Sequence, residues 1–185
     1  MKNMLFLCTG NSARSVLSEC WLNHIGGERW RGWSAGSQPT GKPNRFALQT
    51  LELHGVPAIA GDGGPVRSKS WDEFAGQAAP AMDFIFTVCD DAAGEQCPFW
   101  PGNPMTAHWG MPDPAAVEGS DEDKQKAFHD TMLLLRRRIE LLASLPFDKL
   151  DRMALHQQAK DIGRRRASRT GRPSGRSRRR FYSRP

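Results

Sequence analysis

The stretch Asn3-Met4-Leu5-Phe6-Leu7-Cys8-Thr9-Gly10-Asn11-Ser12-Ala13-Arg14-Ser15 decides how this chain folds. Residues 3–7 form a short, mostly apolar run of the kind found in parallel strands covered on both faces. A turn-like Thr9-Gly10-Asn11-Ser12 follows, and after it Ala13, Val16, Leu17, Cys20, Trp21 and His24 recur at three- and four-residue spacing, which marks one packed face of a helix. Gly26-Gly27 ends that helix. The polar loop between strand and helix therefore lies where an α/β sheet places its ligands, at the carboxyl end of a strand.

The pattern continues outward. Arg31 to Ala35 reads as a second strand stopped by Gly36, and Phe46-Ala47, Thr50-Leu51 and His54 as a second helix closed by Gly55. Strand, helix, strand, helix at this spacing predicts right-handed crossovers onto a parallel sheet. Residues 56–82 are irregular, with a short helix expected near Trp71 to Phe74. Phe84-Ile85-Phe86-Thr87-Val88 is a strongly apolar strand that runs into Cys89, and Thr106 to Trp109 reads as a fourth. Asp121 to Ser144 is the longest helix, with Phe128, Met132, Leu135, Ile139 and Leu142 on its inner face, and Leu150 to Ile162 adds further helix.

The 185 residues suit one α/β domain, expected over 1–163, and a chain of this size buries enough surface to fold without covalent staples. The four cysteines stand at 8, 20, 89 and 97, and no secretory leader is expected, since the apolar run Met4 to Leu7 is far too short for a leader or a membrane span. A cytoplasmic protein with reduced thiols and no membrane contact is expected. The formal net charge of +6 is misleading: Arg164 to Pro185 holds ten arginines and no acid, and subtracting those ten leaves residues 1–163 at −4. The body must hold any anion with a local site rather than its overall field. The tail 164–185 has the Arg-Ser-Gly composition of a disordered segment. The charge of the tail suits non-specific contact with nucleic acid, but only Phe181 and Tyr182 are there to stack, and an extension without a role fits at least as well.

In the loop, five residues separate Cys8 from Arg14. The backbone N–H groups of Thr9, Gly10, Asn11, Ser12 and Ala13, with those of the helix N-terminus, can converge on one anion. Gly10 removes a Cβ from the approach, and Arg14 offers a planar fork that matches two oxygens of a phosphate-like oxyanion. The same groups should activate Cys8. A thiol pKa of about 8.5 must fall by ~3 units to give thiolate at neutral pH, or about 4 kcal/mol. A helix dipole supplies about 0.3–2 kcal/mol, so the loop amides, the Ser15 hydroxyl and Arg14 have to supply the rest. A lone cysteine at a strand end is more commonly a small buried hydrophobe. Gly, Asn, Arg and Ser at these offsets make that reading a poor fit here.

Cys8 through Ser15 resembles the C-x5-R-S loop shared by the low-molecular-weight protein tyrosine phosphatases and the arsenate reductases built on the same fold. The resemblance covers roughly residues 1–160. Ser34-Ala35-Gly36-Ser37, Arg67-Ser68-Lys69-Ser70-Trp71, the Cys89 to Pro101 segment, and His108-Trp109-Gly110 followed by Asp113-Pro114 look like the reductase branch. It implies a three-layer α/β fold, a four-stranded parallel sheet flanked by helices, with Asp113 approaching the loop. The phosphatases usually carry a second cysteine in the loop, where this chain has Ala13, and tyrosines after Asp-Pro, where it has Ala115-Ala116. In the reductases a pair of cysteines beyond the third strand carries the redox chemistry, and Cys89 and Cys97 stand there.

What the resemblance implies is a thiol relay. Cys8 attacks arsenate held by Arg14 and the loop amides, Ser15 supports the thiolate, and Asp113 serves as acid for the leaving oxygen. Cys89 then attacks Cys8 and arsenite departs; Cys97 attacks Cys89, and the resulting disulfide goes to thioredoxin, or to glutathione with glutaredoxin. Phosphate should compete with arsenate, and a monomer is expected. Seven residues separate Cys89 from Cys97, one more than in the thioredoxin-linked reductases, so the segment must fold back to bring the pair together. Asp90 and Asp91 are expected to hold Cys89 back by raising its pKa. Certain members hold a potassium ion with residues that match Asn11, Glu19 and Ser34 plus an aspartate; Trp71 stands in the aspartate's place, so neither a metal nor a bound cofactor is expected.

Cys20 reads as structural, and the cysteine spacings do not suit zinc. Asp113 by itself would be a turn residue before proline, and His108 and Trp109 are candidates either for lining the site or for packing. The loop alone fits a phosphatase that forms a cysteinyl-phosphate, or an oxyanion sensor without turnover. The cysteine pair is what favours the reductase.

Overall fold

The computed structural model of the chain describes residues 1–76, 78–90, 92 and 98–165. Four parallel strands, β1 (Lys2–Cys8), β2 (Trp30–Gly36), β3 (Phe84–Thr87) and β4 (Met105–His108), form one sheet in the order β2-β1-β3-β4. Pairing puts Cys8 opposite Gly36, Leu7 opposite Thr87, and Thr87 opposite His108, so the carboxyl ends of all four strands open on the same edge. Met4 through Leu7 are fully buried, as expected for a central strand.

Alternation along β1 divides the core. Met4, Phe6 and Cys8 face a large cluster that includes Val16, Leu17, Phe128 and Trp109, while Leu5 and Leu7 face a smaller one with Phe74, Met82 and Ile85. The large cluster is covered by α1 (Arg14–Gly26), α2 (Arg45–Leu53), α3 (Asp121–Ala143) and α4 (Arg152–Arg164). Over the small cluster lie the 3-10 turn Trp71–Phe74 and the adjoining segments, which form the third layer. Helix α3 begins with a capping box between Ser120 and Asp123, and its expected inner residues, Phe128, Met132, Leu135, Ile139 and Leu142, are all buried.

Two expectations change. His24 is exposed rather than packed, its ring tilted against that of Trp21. Helix α1 is instead buried on nearly every side, including Ser15, Ser18 and Glu19, because it lies between the sheet and α3. Of the segment from Cys89 to Cys97 that is expected to fold back, residues 91 and 93–97 lie outside the described residues, as does the tail beyond 165. Among the described residues, no helix is long and apolar enough to cross a membrane.

The segment after β4 is held by a residue that periodicity would place in the apolar core. Arg138 of α3 is buried, and its guanidinium donates to the carbonyls of Trp109 (2.7 Å), Gly110 (3.3 Å) and Gly163 (2.7 Å). Trp109 stacks on Phe86 with centroids 4.2 Å apart and donates its indole N–H to Ala159 O at 2.9 Å, so it is core rather than lining. Gly163 must be glycine, since a Cβ there would lie 2.5 Å from His108 O. Arg138→Met would leave three acceptors without their donor, costing on the order of 3 kcal/mol. The thermal midpoint should drop by about 6–12 °C; a calorimetric drop under ~2 °C would show that this clamp contributes little.

Candidate active site

The loop Cys8–Ser15 leaves the end of β1 and enters α1 with its carbonyls turned outward. Thr9 O accepts from Gln38 N (2.9 Å), Gly10 O from Thr40 N (3.0 Å) and Ser12 O from Asn44 N (2.8 Å). Because a trans peptide points its C=O and N–H in opposite directions, the following amides turn inward. Asn11 N–H meets Cys8 Sγ at 3.2 Å. Asn11 is one of two non-glycine residues with a left-handed backbone, at φ 41°, among the described residues. Gly36 lets the loop lie flat on β2: a Cβ there would be 2.4 Å from Thr9 O and 2.9 Å from Cys8 O.

Cys8 is buried, and its Sγ lies 2.9 Å from Ser15 Oγ. Cys89 is also buried, accepts from Ala92 N at 3.4 Å, and places its Sγ 3.7 Å from Thr9 Oγ1. The end of β3 therefore brings the second predicted thiol against the nucleophile loop, although 80 residues separate it from Thr9. Cys97 lies outside the described residues, as does Asp91. Asp90 turns to His108, Oδ1 to Nε2 at 2.9 Å, and His108 Nδ1 bonds Thr87 Oγ1 at 2.8 Å. His108 thus ties the start of the Cys89 segment to the sheet.

Arg14 and Asp113 do meet. One arm of the Arg14 fork donates to Asp113 Oδ2 at 2.8 Å and the other to Met111 O at 3.0 Å. The other oxygen of Asp113 accepts from Ala115 N at 3.0 Å, so this residue is both the expected turn former and a partner of the loop.

The expected activation of Cys8 is corrected in this arrangement. Burial pushes the thiol up from its ordinary value; the Ser15 hydroxyl and the Ser15 and Asn11 N–H groups pull it down, while nearby Cys89 adds to the rise. The reason lies first in burial, since the thiol sits out of water, while both arms of Arg14 are turned to Met111 and Asp113. Cys20 is fully buried in the core, where burial pushes its thiol up to about 12, in keeping with a structural role.

Behind the loop lies a buried polar network that sequence reasoning only partly anticipated. Asn11 Nδ2 donates to Ser15 Oγ and Ser34 Oγ, both at 2.9 Å, and Asn11 Oδ1 accepts from Lys69 N at 2.7 Å. Ser34 donates to Glu19 Oε2, and Gly61 N donates to Glu19 Oε1 at 3.1 Å. Lys69 Nζ lies 3.0 and 3.3 Å from the two Glu19 oxygens and 3.4 Å from Ser34 Oγ. Burial raises the Glu19 carboxyl, against the pull of Lys69, Ser34 and the Gly61 N–H. Every one of these neighbours donates to it, the pattern a carboxylate requires. The available signal for Lys69 was the run of Ser15, Ser18 and Glu19 along α1, a polar strip inside a helix that is buried on most sides.

Comparison with known proteins agrees with this architecture. Residues 3–156 match the family model for low molecular weight phosphotyrosine protein phosphatase. Curated arsenate reductases of Halalkalibacterium halodurans and Oceanobacillus iheyensis are 34% and 32% identical to this chain, each over 77% of it and 95% of their own length. That of Bacillus subtilis is 33% identical over 69% of this chain and 84% of its own. Among solved structures, an arsenate reductase in an oxidized state superposes with a TM-score of 0.59 at 16% identity, covering 78% of this chain and 98% of its own. A phosphotyrosine phosphatase from Vibrio cholerae gives 0.55 at 24% identity, over 74% and 90%. With the match spanning the loop, the sheet and the Asp113 segment, the chain belongs to the low molecular weight phosphotyrosine protein phosphatase family, and the three curated relatives just described are arsenate reductases.

Proposed function

We propose that this chain is an arsenate reductase that takes its electrons from its own thiols. The observation that carries the reading is the meeting of two buried thiols at one loop, Cys8 within it and Cys89 against Thr9, beside the Arg14 fork. A phosphatase needs only the first thiol. The sequence relatives support the redox reading, since those just described are arsenate reductases.

In the first step Cys8, as thiolate, attacks arsenic, and an arsenate oxygen leaves as water with a proton supplied by Asp113. For this, Arg14 exchanges Asp113 and Met111 for two arsenate oxygens, which frees the Asp113 carboxylate to take up a proton from solvent and deliver it as acid. Cys89 thiolate then attacks Cys8 Sγ; the S–As bond breaks, its electron pair reduces As(V) to As(III), and arsenite departs. Cys97 thiolate next attacks Cys89 Sγ and returns Cys8 as thiolate. An external thiol reductant clears the Cys89–Cys97 disulfide, thioredoxin in our reading or glutathione with glutaredoxin. Phosphate, with the same tetrahedral shape, competes for the loop, and the reaction is assigned to the cytoplasm.

Mass spectrometry of the reduced chain after arsenate treatment without added thiol tests the relay. The expected products are one equivalent of arsenite and a protein about 2 Da lighter, with a disulfide mapping to Cys89 and Cys97. Cys89→Ser should stop after one arsenic adduct on Cys8. Unchanged multiple turnover of arsenate by Cys89→Ser with a dithiol would overturn the relay. Inert arsenate with fast cleavage of p-nitrophenyl phosphate would make the chain a phosphatase.

A further inference from the structure

The proposed chemistry uses Cys8, Arg14, Cys89, Cys97 and Asp113, and leaves the buried pair Glu19–Lys69 without a part. Their side chains are 0% and 3% exposed. Such a pair is costly to desolvate and adds little stability over an apolar pair of the same volume. Its contacts run instead in one direction, toward the nucleophile.

The single proton of the Ser34 hydroxyl goes to Glu19 Oε2, so Ser34 can only accept from Asn11 Nδ2. The two Nδ2 protons of Asn11 go to Ser34 and Ser15. Ser15 Oγ, having accepted from Asn11, keeps its own proton for Cys8 Sγ at 2.9 Å. A carboxylate at Glu19 thus orients every donor in the series, ending with a hydroxyl that donates to sulfur and so favours thiolate. Lys69 holds both ends: its ammonium pairs with Glu19, and its backbone N–H fixes Asn11 Oδ1 at 2.7 Å.

We propose that Lys69 is a tethered cation that orders the Glu19–Ser34–Asn11–Ser15 series, a positioning residue for Cys8 that makes the site independent of alkali-metal ions. The potassium ion expected in some members does not fit here. The Lys69 ammonium already stands among Glu19 Oε1, Glu19 Oε2 and Ser34 Oγ. An ion could enter only by displacing a charge that the chain itself supplies.

The inference rests on Cys8 being the nucleophile, and the test reads that thiol directly. The rate of Cys8 alkylation by iodoacetamide is followed against pH by mass spectrometry, alongside arsenate turnover, in potassium chloride or choline chloride at equal ionic strength. The wild-type chain should be indifferent to the salt. Lys69→Met should move the alkylation midpoint upward by about one unit, roughly a tenfold loss of thiolate at neutral pH. Lys69→Ala should behave the same in choline and recover at least half of the loss in potassium, which can enter the space. If the Lys69 variants fail to fold, Ser34→Ala, which keeps both charges paired, should give the same upward shift. A wild-type rate more than doubled by potassium, or variant midpoints within ~0.3 unit of wild type, would overturn the proposal. Loss of the nucleophile reading looks different: Cys8→Ala would then turn over arsenate normally, whatever the alkylation profiles.

Discussion

Cys8→Ser should abolish arsenate reduction, lowering turnover by at least ~10⁴-fold, the scale seen when a covalent nucleophile is removed. Two losses combine. A serine hydroxyl stays protonated where a thiol can ionise, so the attack on arsenic fails. Even a rare oxygen adduct could go no further, because oxygen cannot form the disulfide that delivers two electrons to arsenic. The fold should hardly notice, since the new hydroxyl can still bond Ser15 Oγ and accept from Asn11 N–H. The thermal midpoint is expected within ~3 °C of wild type, and isothermal titration should still detect arsenate or phosphate binding through Arg14 and the loop amides. Turnover above ~1% of wild type would mean that another thiol is the nucleophile.

Asn11→Ala should give the largest loss of stability of any loop substitution. The residue is fully buried, its backbone is left-handed, and its side chain makes three hydrogen bonds, to Ser15, Ser34 and Lys69 N. Alanine loses those bonds at about 1 kcal/mol each, and pays roughly 1 kcal/mol more for a left-handed backbone that nothing compensates. The total of ~4 kcal/mol is a large share of a typical 5–15 kcal/mol. The melting midpoint should fall by about 10 °C. Asn11→Gly separates the two contributions, because glycine accepts the backbone at no strain and should melt about 3 °C higher than Asn11→Ala. Equal midpoints for the two variants would show that the left-handed turn carries no strain.

Much of this was legible in the residues in order. The apolar run before Cys8, the spacing to Arg14 and the face of α3 are local patterns, set by strand and helix geometry, and the structure follows them to within a residue or two at most ends. His24 was misplaced because a periodic pattern assumes one buried face, while α1 is enclosed between the sheet and α3. Arg138 was missed for the related reason that a charged residue on an apolar face reads as solvated, although carbonyls from two distant segments accept from its two terminal nitrogens.

By itself, then, the order of residues determined the α/β elements, the nucleophile loop and the membership of the family, all of which depend on short-range spacing. Only the tertiary structure decided which partners meet: Cys89 against Thr9, Arg14 held by Asp113, and Lys69 beneath Asn11. These contacts join residues 58 to 99 positions apart. Such pairings follow from strand order and from how the layers stack, which no local pattern encodes. Tertiary packing also biases the protonation of Cys8: burial opposes its ionisation, while the Ser15 hydroxyl and the Asn11 N–H favour it.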